Sequence, residues 1–218
     1  MEIEDKVKSI MKNISRDVLL LAVSKTKPLE DLEKAYKSGI RDFGENKVQE
    51  LIAKEEVFHK DVRWHFIGNL QVNKVKYLVG KVTLIHSLSS LKLLEKIENE
   101  FSKKNLVANT LIQINIGREE SKGGVLIEEL DNMIEAVEKC NFVKVKGIMV
   151  IIPKGNDKSN RIYFKETKKI FNSIKQNKYK NISMEILSMG MTNDYEIAIE
   201  EGSNLVRIGS GIFGKRNI

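Results

Sequence analysis

A single cysteine, Cys140, among 218 residues excludes an intrachain disulfide framework and a cysteine-cluster metal site, and it fits a reducing compartment. Proline occurs twice and aromatic residues make up 6% of the chain. No Pro/Gly/Ser linker, low-complexity tract or internal repeat divides it, so one domain over residues 1–218 is expected. Long apolar runs are missing as well. Stretches such as residues 18–23 are strand-sized, far short of the roughly 18 residues of a membrane span. Residues 1–14 carry Glu2, Glu4 and Asp5 and lack the basic flank and apolar core of a secretory signal. No cleaved leader and no membrane partner are expected, and the expected address is cytoplasmic.

Charge of one sign is nowhere concentrated. The formal +7 arises from 37 Lys and Arg scattered among 30 Asp and Glu, without a basic block or interleaved aromatics, so a solvated surface is expected and nucleic-acid binding is not. The positive field still favours anionic small molecules near any cleft. His59, His65 and His86 show no metal-ligand spacing, and no metal site is expected. His65, between Trp64 and Phe66, reads as a satisfied core histidine.

What is present is 41% apolar and 31% charged, the balance of a folded domain. Ile3, Val7, Ile10, Met11 and Ile14 follow helical spacing and predict an opening amphipathic helix. Residues 17–24 then form a nearly continuous apolar run, followed by a helical stretch over 30–37. The alternation recurs: further strands are predicted over 41–43, 63–67, 83–86, 107–116, 145–150, 183–187 and 205–208. Helices are predicted over 47–58, 71–79, 90–103, 127–139, 160–175 and 194–200. Eight strands linked through helices imply parallel pairing and right-handed crossovers. The expected fold is therefore α/β, a single (β/α)8 TIM barrel with an extra N-terminal helix. An open doubly wound sheet is the alternative, but no Gly-x-Gly-x-x-Gly follows the first strand.

In such a barrel, chemistry collects at the carboxyl ends of the strands. Lys25 ends the first strand and shares the parity of Leu21 and Val23, so it can reach the rim from a dry interior, where desolvation favours a nucleophilic amine. An exposed turn lysine beside Lys27 and Pro28 is the alternative. Arg207 lies between Val206 and Ile208 in the last strand and must find an acceptor, either Glu45 or Glu185 or a ligand. Ser188 to Gly190 and Gly209 to Gly211 follow strands seven and eight, where barrels often bind phosphate. Met189 and Met191 read as core or wall residues. Residues 117–124, with Lys122, read as a surface loop or a flap.

Five segments, in order, are specific: LLAVSKTKP at 20–28, FGENKVQE at 43–50, WHFIGNLQVNK at 64–74, LSMGMT at 187–192 and VRIGSGIFG at 206–214. Here the chain resembles the pyridoxal phosphate homeostasis protein family, single-barrel relatives of the alanine racemase N-terminal domain. The resemblance implies pyridoxal 5'-phosphate (PLP) as cofactor, carried on Lys25 through its amine, with Arg207 facing the pyridine nitrogen. It implies that Ser188, Gly209 and Ser210 hold the phosphate and that Asn46 lies beside the cofactor. A permanent cation at the ring nitrogen disfavours its protonation and weakens the electron sink, so a PLP carrier without catalytic residues is expected. A PLP-dependent amino-acid racemase is the alternative. The racemase relatives add a β domain and a neighbouring subunit's tyrosine, whereas this chain stops at Ile218. Apo PLP-dependent enzymes are the expected recipients, and a monomer is expected. Lys47, where an aromatic often stands, and Thr192, in place of a usual Ser, depart from the pattern.

Overall fold

The structure, a computed structural model, describes residues 2–120 and 122–214. Eight strands close into a barrel in chain order: β1 (Leu19–Val23), β2 (Asp42–Glu45), β3 (Arg63–Phe66), β4 (Leu84–Leu88), β5 (Ala108–Ile114), β6 (Val143–Val150), β7 (Ile182–Met191) and β8 (Leu205–Ile208). Every neighbouring pair is parallel, and β1 completes the ring by pairing Leu19 with Leu205 and Leu21 with Arg207. The expected (β/α)8 barrel is the fold. Strands covered by helices outside and side chains inside have no solvated face, which is why all of β4 and nearly all of β1 are buried and their sequences do not alternate.

The helices are α1 (Ile3–Asn13), α2 (Leu29–Lys37), α3 (Val48–Val57), α4 (Leu91–Ser102), α5 (Leu130–Glu138), α6 (Asp157–Lys175), α7 (Tyr195–Glu200) and α8 (Ser210–Phe213). The opening helix buries Ile3, Val7 and Ile10 and packs against α2 and α8. Ser90 caps α4 by accepting from the Leu93 N–H at 3.2 Å, and Asn156 caps α6 from Ser159 at 3.0 Å. The latter starts α6 three residues before the predicted boundary.

Residues 72–77 differ from expectation. They form a 3₁₀ helix, with Lys74 N–H bonded to Gln71 O and Leu78 N–H to Val75 O. Val72, Val75 and Leu78 recur every three residues, the period of a 3₁₀ turn, so the tighter winding sets all three against the core. The main core fills the space between barrel and helices. A smaller cluster of Leu84, Leu111 and Met149 is packed separately from it.

Candidate functional site

The carboxyl ends of the strands surround a cavity of about 620 Å³, within the range of roughly 300–1,000 Å³ for small-molecule sites. Five of the six residues singled out from the sequence line it: Lys25, Asn46, Arg207, Gly209 and Ser210. Val23, Ile67, Ile151 and Ile152 supply apolar wall, and Met191, Asp194 and Lys154 complete one side.

Lys25 is half-buried on a tight turn. The Ser24 carbonyl accepts from the Lys27 N–H at 3.1 Å, which makes Lys25 and Thr26 its central residues, and Thr26 has φ +64°. A left-handed threonine costs about 1–2 kcal/mol, so the turn needs outside support. It comes from a buried network that sequence reading missed. Lys54 Nζ donates to Ser24 O at 2.9 Å, to Glu45 Oε1 at 2.8 Å and to Glu50 Oε1 at 2.8 Å. Ser24 Oγ donates to Glu45 Oε1 at 2.6 Å, and the Thr26 N–H donates to Glu50 Oε1 at 2.6 Å. Both neighbours of Lys25 are thus pinned to β2 and α3. Burial pushes the Glu45 carboxyl up, against the pull of Lys54. The Glu50–Lys54 spacing of four on a helix was the available signal.

Arg207 is 5% exposed and points inward, opposite Leu21. Neither Glu45 nor Glu185 meets it, contrary to the structural option read from the sequence. Glu45 is taken by Lys54 and Ser24, and Glu185 pairs at the surface with Lys146. Instead Nη1 donates to Ser188 O at 2.9 Å and Ser188 Oγ at 2.6 Å, and Nη2 donates to Val150 O at 2.7 Å. Burial pushes the guanidinium down to about 10, partly offset by Asp194. Arg207 therefore remains a cation, held by neutral oxygens.

Ser188 is the expected site residue that the structure puts elsewhere. It is fully buried beneath Arg207, is not among the residues lining the cavity, and gives its hydroxyl oxygen to the guanidinium. Leu187 and Met189 on either side of it pack in the outer core, so Ser188 faces into the barrel, and β7 runs on past it to Met191. Thr192 takes the rim position: it lines the cavity, and its Oγ1 accepts from Ser210 Oγ and from the Gly211 N–H, both at 3.2 Å. At Gly209 an added Cβ would come no closer than 3.4 Å to any protein atom, so packing does not require glycine there; its bareness keeps the wall open beside Thr192 and Ser210. Packing does require Gly68, where a Cβ would stand 2.1 Å from Asn46 O; this close approach seats Asn46 at the rim. Asn160 Oδ1 is a buried acceptor on the cavity wall with no partner among the described residues.

Met189 is core and Met191 is wall. Lys122 does not line the cavity; it donates to Ile152 O at 3.0 Å and pairs with Glu119. Asn115 and Gln113 hold its loop by donating to Glu119 O, Lys122 O and Gly123 O. No helix among the described residues is long and apolar enough to cross a membrane.

The family model described as alanine racemase, N-terminal domain, matches residues 2–217. Among curated proteins, the chain is 45% identical to the pyridoxal phosphate homeostasis protein of Aquifex aeolicus, over 90% of this chain and 86% of that one. It is 37% identical to the protein of the same name from Synechocystis, over 95% of both. Among solved structures it is similar to PipY of Synechococcus elongatus without PLP, with a TM-score of 0.92 at 30% identity over 98% of this chain and all of that one. The same protein with PLP bound gives a TM-score of 0.88 at 29% identity, again over 98% and 100%. Matched over nearly its whole length by the family model and by these relatives, the chain belongs to the pyridoxal phosphate homeostasis protein family, within the alanine racemase N-terminal domain group.

Proposed function

We propose that this protein binds PLP at the barrel mouth, retains it covalently on Lys25 and serves intracellular PLP homeostasis by buffering and releasing it, without turning over an amino acid. One observation carries the reading: a turn-mounted lysine and a buried arginine line a single cavity whose remaining polar groups suit a phosphorylated ring. PLP supplies an aldehyde that condenses with an amine and, when its ring nitrogen is protonated, an electron sink.

The residues present fit that group. Lys25 Nζ is the amine, and its backbone is held on both sides before anything binds. Thr192 and Ser210 offer hydroxyls, and Gly209 leaves the wall bare for a phosphate to approach the backbone. Asn46, on the cavity wall, would lie beside the ring, and Asn160 Oδ1 offers a desolvated acceptor. Arg207 sets the electronic character of the site. Its guanidinium keeps its positive charge and can only donate, so it disfavours a proton on a ring nitrogen facing it. That arrangement favours holding over carbanion chemistry. The recipients are apo PLP-dependent enzymes, and the working form is a monomer within the cell.

Incubation with PLP, borohydride reduction and peptide mapping test the reading. The label is expected on Lys25, with loss of visible absorbance and of label in Lys25→Ala. A wild-type protein that takes up no PLP, or that is labelled elsewhere, overturns it. Exchange of amino-acid α-protons in deuterated buffer at enzyme-like rates would replace the carrier with a racemase.

A further inference from the structure

The hydroxyl that receives Arg207 is one end of a longer path. Ser188 Oγ lies 3.3 Å from His86 Nδ1, His86 Nε2 lies 3.0 Å from His65 Nδ1, and His65 Nε2 lies 3.1 Å from Asp42 Oδ1. The Asp42 carboxylate in turn accepts both Nε and Nη2 of Arg63. β4 and β7 are not neighbours in the sheet, so the contact between His86 and Ser188 crosses the inside of the barrel. Asp42 and Arg63 are the first residues of their strands, at the mouth opposite Lys25. The path therefore runs through the barrel from one mouth to the other, and all of it except Arg63 is buried.

The two ends dictate the order of its protons. A guanidinium only donates and an ionised carboxylate only accepts. Burial pulls the Asp42 carboxyl up, yet His65 and Arg63 together hold it below its usual value, so it is the accepting end. Asp42 then accepts a hydrogen bond from the His65 Nε2–H. When that is the one ring proton of His65, its Nδ1 accepts, which calls for a proton on His86 Nε2. Burial, with His65 and Arg207 beside it, keeps His86 far below the usual imidazole range, so it is neutral and accepts at Nδ1. The Ser188 hydroxyl, the partner at that nitrogen, supplies the hydrogen while its oxygen receives Arg207. Every donor points from Arg207 towards Asp42. The opposite order would aim Arg207 and His86 at the same hydroxyl oxygen and turn its hydrogen away from both.

We infer that Asp42, His65 and His86 are positioning residues for Arg207: a one-way chain of hydrogen bonds through the barrel locks Ser188 Oγ as an acceptor and so fixes the guanidinium at the cavity floor. The inference rests on the proposed PLP site for its consequence. The charged groups facing the two imidazoles are Asp42 and Arg63 at one end, and Arg207, with Asp194 beyond it, at the other.

Nitrogen NMR of the histidine rings tests the order in the protein without PLP. Both His65 and His86 are expected as neutral Nε2–H tautomers at neutral pH. Asp42→Asn replaces the accepting end by a carboxamide that can also donate. It lies outside the cavity lining, yet it is expected to bring up Nδ1–H forms on both rings and to speed PLP release about fivefold, the effect of one weakened charged hydrogen bond. A charged or Nδ1–H ring in the wild type overturns the inference, and so does an Asp42→Asn protein that releases PLP at the wild-type rate. If neither protein takes up PLP, the cofactor reading falls instead, and the wild-type tautomers still decide whether the chain exists as ordered.

Discussion

The barrel buries two cations near the same mouth and neutralises them in opposite ways. Lys54, 7% exposed, uses all three ammonium protons, two of them on the carboxylates of Glu45 and Glu50. Arg207, 5% exposed, donates to two carbonyls and a hydroxyl, and Asp194 acts on it through space and not through an ion pair among the described residues. The first arrangement is a closed structural clamp under Lys25. The second leaves a positive charge with no carboxylate bonded to it among the described residues. Buried charge without a counter-ion is costly to fold, so its presence at a cavity wall fits the ligand contact proposed for Arg207, whereas the same charge fully paired on Lys54 fits a structural clamp.

Removing each cation separates these roles. Lys54→Met strands the Glu45 carboxylate, which is fully buried and already has one oxygen, Oε2, without a partner among the described residues. The expected loss is about 3–5 kcal/mol of stability, read by urea unfolding without PLP. Arg207→Leu removes three hydrogen bonds but also an unpaired buried charge, and the expected loss is smaller, about 1–2 kcal/mol, while retention of PLP collapses. Equal destabilisation by the two changes would erase the distinction.

A finer test lies at Asp194, whose carboxyl burial raises against the opposing pull of the Met191 N–H and of Arg207. Because its folded-state value lies above the unfolded 3.8, its contribution is greatest in acid and declines as pH rises through the raised value. In Arg207→Leu the midpoint is expected to move up further in a carboxyl carbon NMR titration, because the cation's pull is gone. An unmoved midpoint would mean that Asp194 does not feel the cation. Asp42 has the reverse sign: its folded value lies below 3.8, so its stabilisation is present above that pH and fades as pH falls through the lower value. The smallest expected effect is that Asp42→Asn flattens this acid limb, seen as a shallower fall of melting temperature below pH 4 than in wild type.

The strands and their order were legible because short unalternating apolar runs separated by helical periods have few other meanings. Lys25 was legible too: its parity with Leu21 and Val23 on β1 placed it at the rim, where it lines the cavity. Ser188 was not: its hydroxyl faces into the barrel but lies under Arg207, below the rim, and nothing in LSMGMT marks that depth. The partners of Arg207 were equally hidden, because Val150 and Ser188 offer carbonyls that every residue possesses. His65 read singly as a core histidine and His86 only as lacking metal-ligand spacing; that the two rings meet depends on the pairing of β3 with β4 inside the closed barrel.

Periodicity and residue type, which are local, determined by themselves that this chain makes eight βα units and carries a lysine and an arginine at strand ends. Which groups share the cavity, which acid takes which base, and the path from Asp42 to Arg207 were decided only when the sheet closed. Closure brings strands distant in sequence within hydrogen-bonding reach and removes the water that would otherwise satisfy each polar group alone.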